Sequence, residues 1–155
     1  MIPQDPPLGH FADAQIGRLY RYWDERRAGR WAPARADIDP IDFAFILADV
    51  CLIDVAPAET TDSPPRFHYR IVGDNLDQWL GFRMAGRWLD DLPGSELRER
   101  VRRSFLSVVR TRMPRHGVRD SVLDDRLRRY EFLILPLSSN GGRVDMLLTT
   151  QRYLR

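Results

Sequence analysis

The chain has 155 residues, of which 43% are hydrophobic and 30% charged, enough for one domain with a real core and too few for two ordinary ones. No apolar run approaches the roughly 20 residues needed to span a bilayer. The opening Met1-Ile2-Pro3-Gln4-Asp5-Pro6-Pro7 has neither the basic region nor the apolar core of a signal peptide, so a cytoplasmic location and no membrane role are expected. All 24 basic residues are arginine, against 22 acidic ones, for a net charge of +2. A complete absence of lysine reads as the compositional bias of a GC-rich genome, although arginine does grip phosphate and carboxylate in a way that lysine cannot.

In chain order, residues 1–12 read as a flexible arm, with three prolines and a glycine among the first nine. Residues 13–155 then form a single domain. Ile16, Leu19, Tyr20 and Trp23 fall at i, i+3, i+4 and i+7, the mark of one apolar helical face. A helix is predicted over about 13–29, with Asp13 as N-cap and Gly29 as its stop. Asp39-Pro40-Ile41-Asp42 opens a short helix, with proline at a position whose amide has no helical partner. A strand over 49–55 follows. It contains the one cysteine, Cys51, which reads as a small buried hydrophobe, since one thiol makes neither an internal disulfide nor a zinc cluster.

A polar loop with Pro64-Pro65 leads to Phe67-His68-Tyr69-Arg70-Ile71-Val72-Gly73, whose alternation predicts a half-buried strand with Phe67, Tyr69 and Ile71 facing the helices. Asp74 is read as the cap of a short helix ending at Gly81, and residues 86–92 as a further helical turn. The longest helix is predicted from Ser95 to before Pro114, with Leu97, Val101, Phe105, Val108 and Val109 recurring at helical period. Three strands remain, over 116–123, 128–137 and 143–153. The first pair is joined across Asp124-Asp125-Arg126 and the second across Asn140-Gly141, a hairpin signal. Strands on either side of a helical block predict an α+β fold, an antiparallel sheet with helices on one face.

That order resembles the PAS fold, a five-stranded antiparallel sheet with helices on one face, here with an extra N-terminal amphipathic helix. Leu19-Tyr20-Arg21-Tyr22-Trp23, the stretch Pro33 to Pro40, Phe67 to Gly73, Gly86-Arg87-Trp88-Leu89-Asp90, Leu135-Pro136-Leu137 and Gly142 to Leu147 are similar to a bacterial family of small stand-alone PAS-like proteins. The resemblance implies a sensory or protein-interaction module in bacterial signalling, and it brings no catalytic residues. A stand-alone sensor is expected to signal through a protein partner, and a homodimer is the commonest soluble assembly. Ile16, Leu19, Tyr20 and Trp23 are the face expected to pack on the chain's own sheet or on a second copy.

A small apolar ligand, if the fold carries one, is expected between sheet and helices. Trp79, Trp88, Phe105, Tyr130, Phe132 and Met146 are the residues read as lining that pocket, against the alternative that they simply fill a core. No cofactor is predicted. Cys51 lies on a strand, outside any helical motif of the flavin-adduct kind, and His10, His68 and His116 are not on the helix that supplies an axial haem ligand. The histidines show no metal-binding spacing, and His68 reads as a structural hydrogen-bonding group. The chain is therefore read as a non-enzyme. Two alternatives stand beside this. One is a small-molecule enzyme on a related helix-over-sheet scaffold, using Asp54, Glu131 or Asp145. The other is a weak nucleic-acid binder through Arg98, Arg100, Arg102, Arg103 and Arg110, although Glu96 and Glu99 interrupt that series and argue against it.

Overall fold

The computed structural model describes residues 8–123 and 126–154, so the expected turn at Asp124-Asp125 and the first seven residues of the arm lie outside the described residues. Helix α1 spans Ala14–Arg27, as the apolar spacing predicts. Asp13 caps it by accepting hydrogen bonds from the Gln15 and Ile16 amides, and Arg26 and Arg27 place positive charge against the negative end of the helix dipole. The helix stops one residue before the expected glycine, with Ala28 itself in the left-handed region at φ 48°. Single 3-10 turns follow at Arg35–Asp37, Pro40–Phe43 and Leu47–Asp49. The second of these is capped by Asp39 with Pro40 in the first position.

Strands β1 (Val50–Ala56) and β2 (Arg66–Val72) precede α2 (Asp74–Leu80), a 3-10 turn at Leu89–Asp91 and α3 (Ser95–Thr111). Strands β3 (Arg115–Leu123), β4 (Arg126–Leu137) and β5 (Met146–Tyr153) complete the chain. They form one antiparallel sheet in the order β2-β1-β5-β4-β3. At the turn after β4, Gly141 takes φ 74°, and the Asn140 side chain accepts the Gly142 amide at 2.7 Å. The N-cap of α2 is Gly73, and Asp74 lies inside the first turn instead of capping it. Gly81 closes α2 in the left-handed region.

Both faces of the sheet are covered. On one, α2 and α3 pack over Cys51, Ile53, Val55, Phe67, Tyr69, Phe132, Ile134 and Leu147. On the other, Ile16, Leu19 and Trp23 of α1 and Phe43 and Ile46 of the 3-10 turns pack over Leu52, Leu133, Leu135 and Leu148. Each fully buried aliphatic side chain of this kind contributes roughly 1.5–3 kcal/mol. The Trp23 indole N–H donates to the Pro136 carbonyl at 2.9 Å, so even the polar atom of this buried ring is satisfied.

Strand β2 departs from strict alternation. Leu52 pairs with Ile71 and Ile53 with Tyr69, so Arg70 is an extra residue, a β-bulge. The bulge turns Ile71 off the α3 face expected for it and leaves it 37% exposed, while Arg70 bonds to Asp54. The outer edge of β2 is paired by residues 86–88. Tyr69 N–H donates to the Arg87 carbonyl at 2.9 Å and Gly86 N–H to the Tyr69 carbonyl at 2.8 Å, which blunts an otherwise open edge.

Gly73, between β2 and α2, sits against the backbone of residues 47 and 48. A Cβ there would lie 2.3 Å from the Ala48 carbonyl oxygen. Its φ of −65° suits any residue, so the constraint is space alone. Gly73→Ala is expected to destabilise the fold by about 1–3 kcal/mol through this overlap, read as a lower urea midpoint with an unchanged slope.

Candidate functional site

A cleft of about 590 Å3 opens between the sheet and the pair α2 and α3, within the range of roughly 300–1,000 Å3 typical of small-molecule sites. Alternation in the strands builds its floor. Tyr130, Phe132 and Ile134 of β4 face it together with Thr149, Gln151 and Tyr153 of β5, which are their cross-strand partners. Arg119 and Ser121 of β3 and Arg128 of β4 extend the same face toward the free end of the hairpin. Leu76, Trp79 and Leu80 of α2 and Leu97, Arg100, Val101, Ser104 and Phe105 of α3 form the opposing wall.

The floor is an aromatic array, with Tyr130 tilted against Phe132 at 6.4 Å between centroids and edge-on to Tyr153 at 6.3 Å. Guanidinium groups lie over two of these rings, Arg119 at 5.0 Å from Phe132 and Arg128 at 5.5 Å from Tyr153. The Trp79 indole nitrogen is buried and has no hydrogen-bond partner. Burial pushes the Tyr153 phenol above its ordinary value, against the opposing charge of Arg128. Cys51 also lines the cleft. Burial pushes its thiol up to about 12, the value of an inert packing group and not of a nucleophile.

Four of the six residues read from the sequence as pocket-lining meet here: Trp79, Phe105, Tyr130 and Phe132. Two do not. Met146 lies on the opposite face with Leu135 and Leu148, because the odd-numbered residues of β5 face the cleft. Trp88 packs outside β2, edge-on to His68 at 5.0 Å and beneath the Arg66 guanidinium at 4.1 Å, because residues 86–88 run along the sheet edge. Of the α1 face, Ile16, Leu19 and Trp23 are buried against the chain's own sheet, and Tyr20 is half-buried at its margin.

The three carboxylates considered for catalysis are dispersed, and none lines the cleft. Asp54 pairs with Arg70 and His68 on the outer side of β1. Asp145 accepts the Ser139 amide and hydroxyl in the β4–β5 connection. Glu131 is fully buried on the α1 side. The arginines of α3 do not form one ridge either. Arg98 bonds to the Leu92 carbonyl, Arg102 pairs with Glu99 and Asp90, and Arg100 turns into the cleft. Among the described residues no group of three or more histidine, cysteine or acidic side chains is placed to hold a metal ion.

Sequence reasoning missed what Glu131 does. Its Oε1 accepts the Asp13 amide and its Oε2 the Ala12 amide, each at 2.8 Å. Nε2 of the buried His116 donates to Oε2, also at 2.8 Å. Phe11 packs over the His116 ring at 4.6 Å, and Nδ1 of His116 has no partner. Beside this, Asp13 accepts from Arg152 at 2.8 Å, and Arg152 reaches Asp49 at 2.7 Å. Asp49 in turn receives the Asn75 amide of α2 at 2.8 Å. Asp49, Asn75 and Arg152 all line the cleft, so one polar chain runs from the start of α1 to the start of α2. The signal available in sequence was a lone acid among Phe132, Leu133 and Ile134, within a strand too apolar to be solvated.

The sequence profile of the PAS domain matches residues 12–150. Among solved structures, the PAS domain of BvgS from Bordetella pertussis is similar, with a TM-score of 0.56 at 15% identity over 76% of this chain and 88% of that one. A fungal light-oxygen-voltage photoreceptor domain has a TM-score of 0.46 at 17% identity over 92% of each chain. Among curated proteins, none matches this sequence.

Two consequences of the polar chain can be measured. Glu131→Ala removes the acceptor of the buried His116 and of two partly buried amides and is expected to cost about 3 kcal/mol in urea unfolding, with early proteolytic release of α1. Glu131→Gln recovers part of this, because one oxygen still accepts. Asp13 gives a pH signature. Burial works against its charge but is outweighed by the Arg152 hydrogen bond and the Ile16 and Gln15 amides, so folding lowers its value below the ordinary 3.8. The resulting stability is present above that pH and is lost as the pH falls through the lower folded value. Asp13→Asn keeps a capping oxygen but no charge. Its deficit against the parent protein should be full near about pH 6 and close below about pH 4, followed by urea midpoints.

Proposed function

The chain belongs to the PAS domain family, and from that premise we propose that it is a sensory or protein-interaction module of bacterial signalling that takes a small, largely apolar ligand into the cleft between sheet and helices. The observation that carries this reading is the cleft itself, walled by Trp79, Phe105, Tyr130 and Phe132. The dispersal of Asp54, Glu131 and Asp145 away from the cleft argues for recognition over catalysis. No helix among the described residues is long and apolar enough to cross a membrane, and the proposed setting is the cytoplasm.

Transmission would run through the elements that close the cleft. α2 is tied to α1 through Asn75, Asp49, Arg152 and Asp13, so a ligand that displaces α2 also loads the anchor of α1. For output we propose a partner surface at the outer end of β3 and β4, with a second copy of the chain as the first partner to test. Val122 and Leu127 are cross-strand partners there and are 71% and 72% exposed, an apolar pair held open to solvent.

Native mass spectrometry of the purified chain tests the ligand, and light scattering tests the assembly. A bound small molecule is expected in the parent protein and not in Ser104→Phe, which fills the cleft from α3. No adduct on either protein, together with no thermal shift from any apolar probe, would leave the cleft without a ligand role. A dimer that becomes a monomer in Val122→Asp with Leu127→Asp supports the surface, whereas a parent protein that stays monomeric at high concentration overturns it.

A further inference from the structure

The cleft is not evenly apolar, and its charged groups are mostly of one sign. Arg100, Arg119, Arg128 and Arg152 line it, against a single carboxylate, Asp49. Asp49 is already bonded to Arg152 and Asn75. Neither Arg100 nor Arg128 has a carboxylate partner among the described residues. The aromatic floor and α2 wall lie beside these cations, and apolar walls next to charges mostly of one sign raise the local potential for an incoming anion.

A wholly apolar occupant would fit badly here. It would strip water from the arginine heads, a loss that is costly without an acceptor in return. An occupant with a flat ring system at one end and an oxyanion at the other satisfies both halves. The ring stacks on Tyr130 and Phe132, and the oxyanion receives guanidinium N–H groups in the paired geometry that arginine provides. Arg128 is already seated over the Tyr153 ring, so little side-chain freedom is lost on binding.

Resting on the ligand reading above, we propose that the cleft selects a ring-bearing organic anion, with Arg100 and Arg128 as its oxyanion receptors. The test separates charge from shape with two probes that share one ring system, 2-naphthoate and the neutral 2-naphthalenemethanol, titrated calorimetrically into the full chain. Naphthoate should bind about tenfold or more tightly than the alcohol, and the gap should shrink at high salt. In Arg100→Gln with Arg128→Gln the gap should vanish, because naphthoate loses far more affinity than the alcohol does. Arg128 is exposed, so Arg128→Gln alone serves if the double variant melts early, and it should close part of the gap. Equal affinity for the two probes, or a gap that survives the double variant, overturns the anion selection and leaves the apolar-ligand reading standing. No heat from either probe at millimolar concentration overturns both.

Discussion

The buried carboxylate of Glu131 is the interaction on which the two-sided architecture depends. A helix laid across a sheet must be held in direction as well as in contact, and the apolar face of α1 supplies only contact. Glu131 supplies direction, because its two oxygens receive the consecutive amides of Ala12 and Asp13 just ahead of the first turn. The Asp13 amide is among the groups a helix start leaves without partners, and a carboxylate there also meets the positive end of the dipole. His116 completes the acid's hydrogen bonding from the neighbouring strand, and Phe11 closes over the imidazole. A charge this deep is tolerable only with such a set of donors.

From that anchor the rest follows in order. With α1 fixed, Ile16, Leu19 and Trp23 cover Leu52, Leu133, Leu135 and Leu148, and the centre of the sheet is buried on both faces. Strand β1 therefore carries apolar side chains on both sides, Leu52 toward α1 and Cys51 and Ile53 toward α3. The cleft is what remains where the second layer is incomplete. Near β1 and β2, Phe105 of α3 closes over Phe67 and Tyr69. Toward the free end of β3 and β4 they stand off the sheet, and arginines occupy the margin.

Much of the fold was legible in the sequence. The spacing of Ile16, Leu19, Tyr20 and Trp23, the caps Asp13 and Asp39, the stop at Gly81 and the turn at Asn140-Gly141 all act within a few residues, and local propensity decides such features. The uninterrupted Val50-Cys51-Leu52-Ile53 also held a sign of burial on both faces. Misplaced residues had non-local causes. Trp88 reads as a pocket residue because large aromatics are expected inside, but residues 86–88 pair with the edge of β2 and hold it outside. Ile71 follows the alternation of its own strand, and the bulge at Arg70, visible only in the pairing with β1, reverses it. Met146 is apolar on either side of β5, so composition alone could not choose its face.

By itself, then, the sequence determined the elements, their order, the apolar face of α1 and an α+β sheet of five strands, because those depend on period, capping and turn chemistry over short spans. The tertiary structure alone decided that Glu131 and His116, fifteen residues apart, meet beneath the start of α1. It also decided that Arg100 of α3 and Arg128 of β4 share one cleft. Register and layer packing bring such residues together across long stretches of chain, and a carboxylate in a strand looks the same in sequence whether it meets water or two backbone amides.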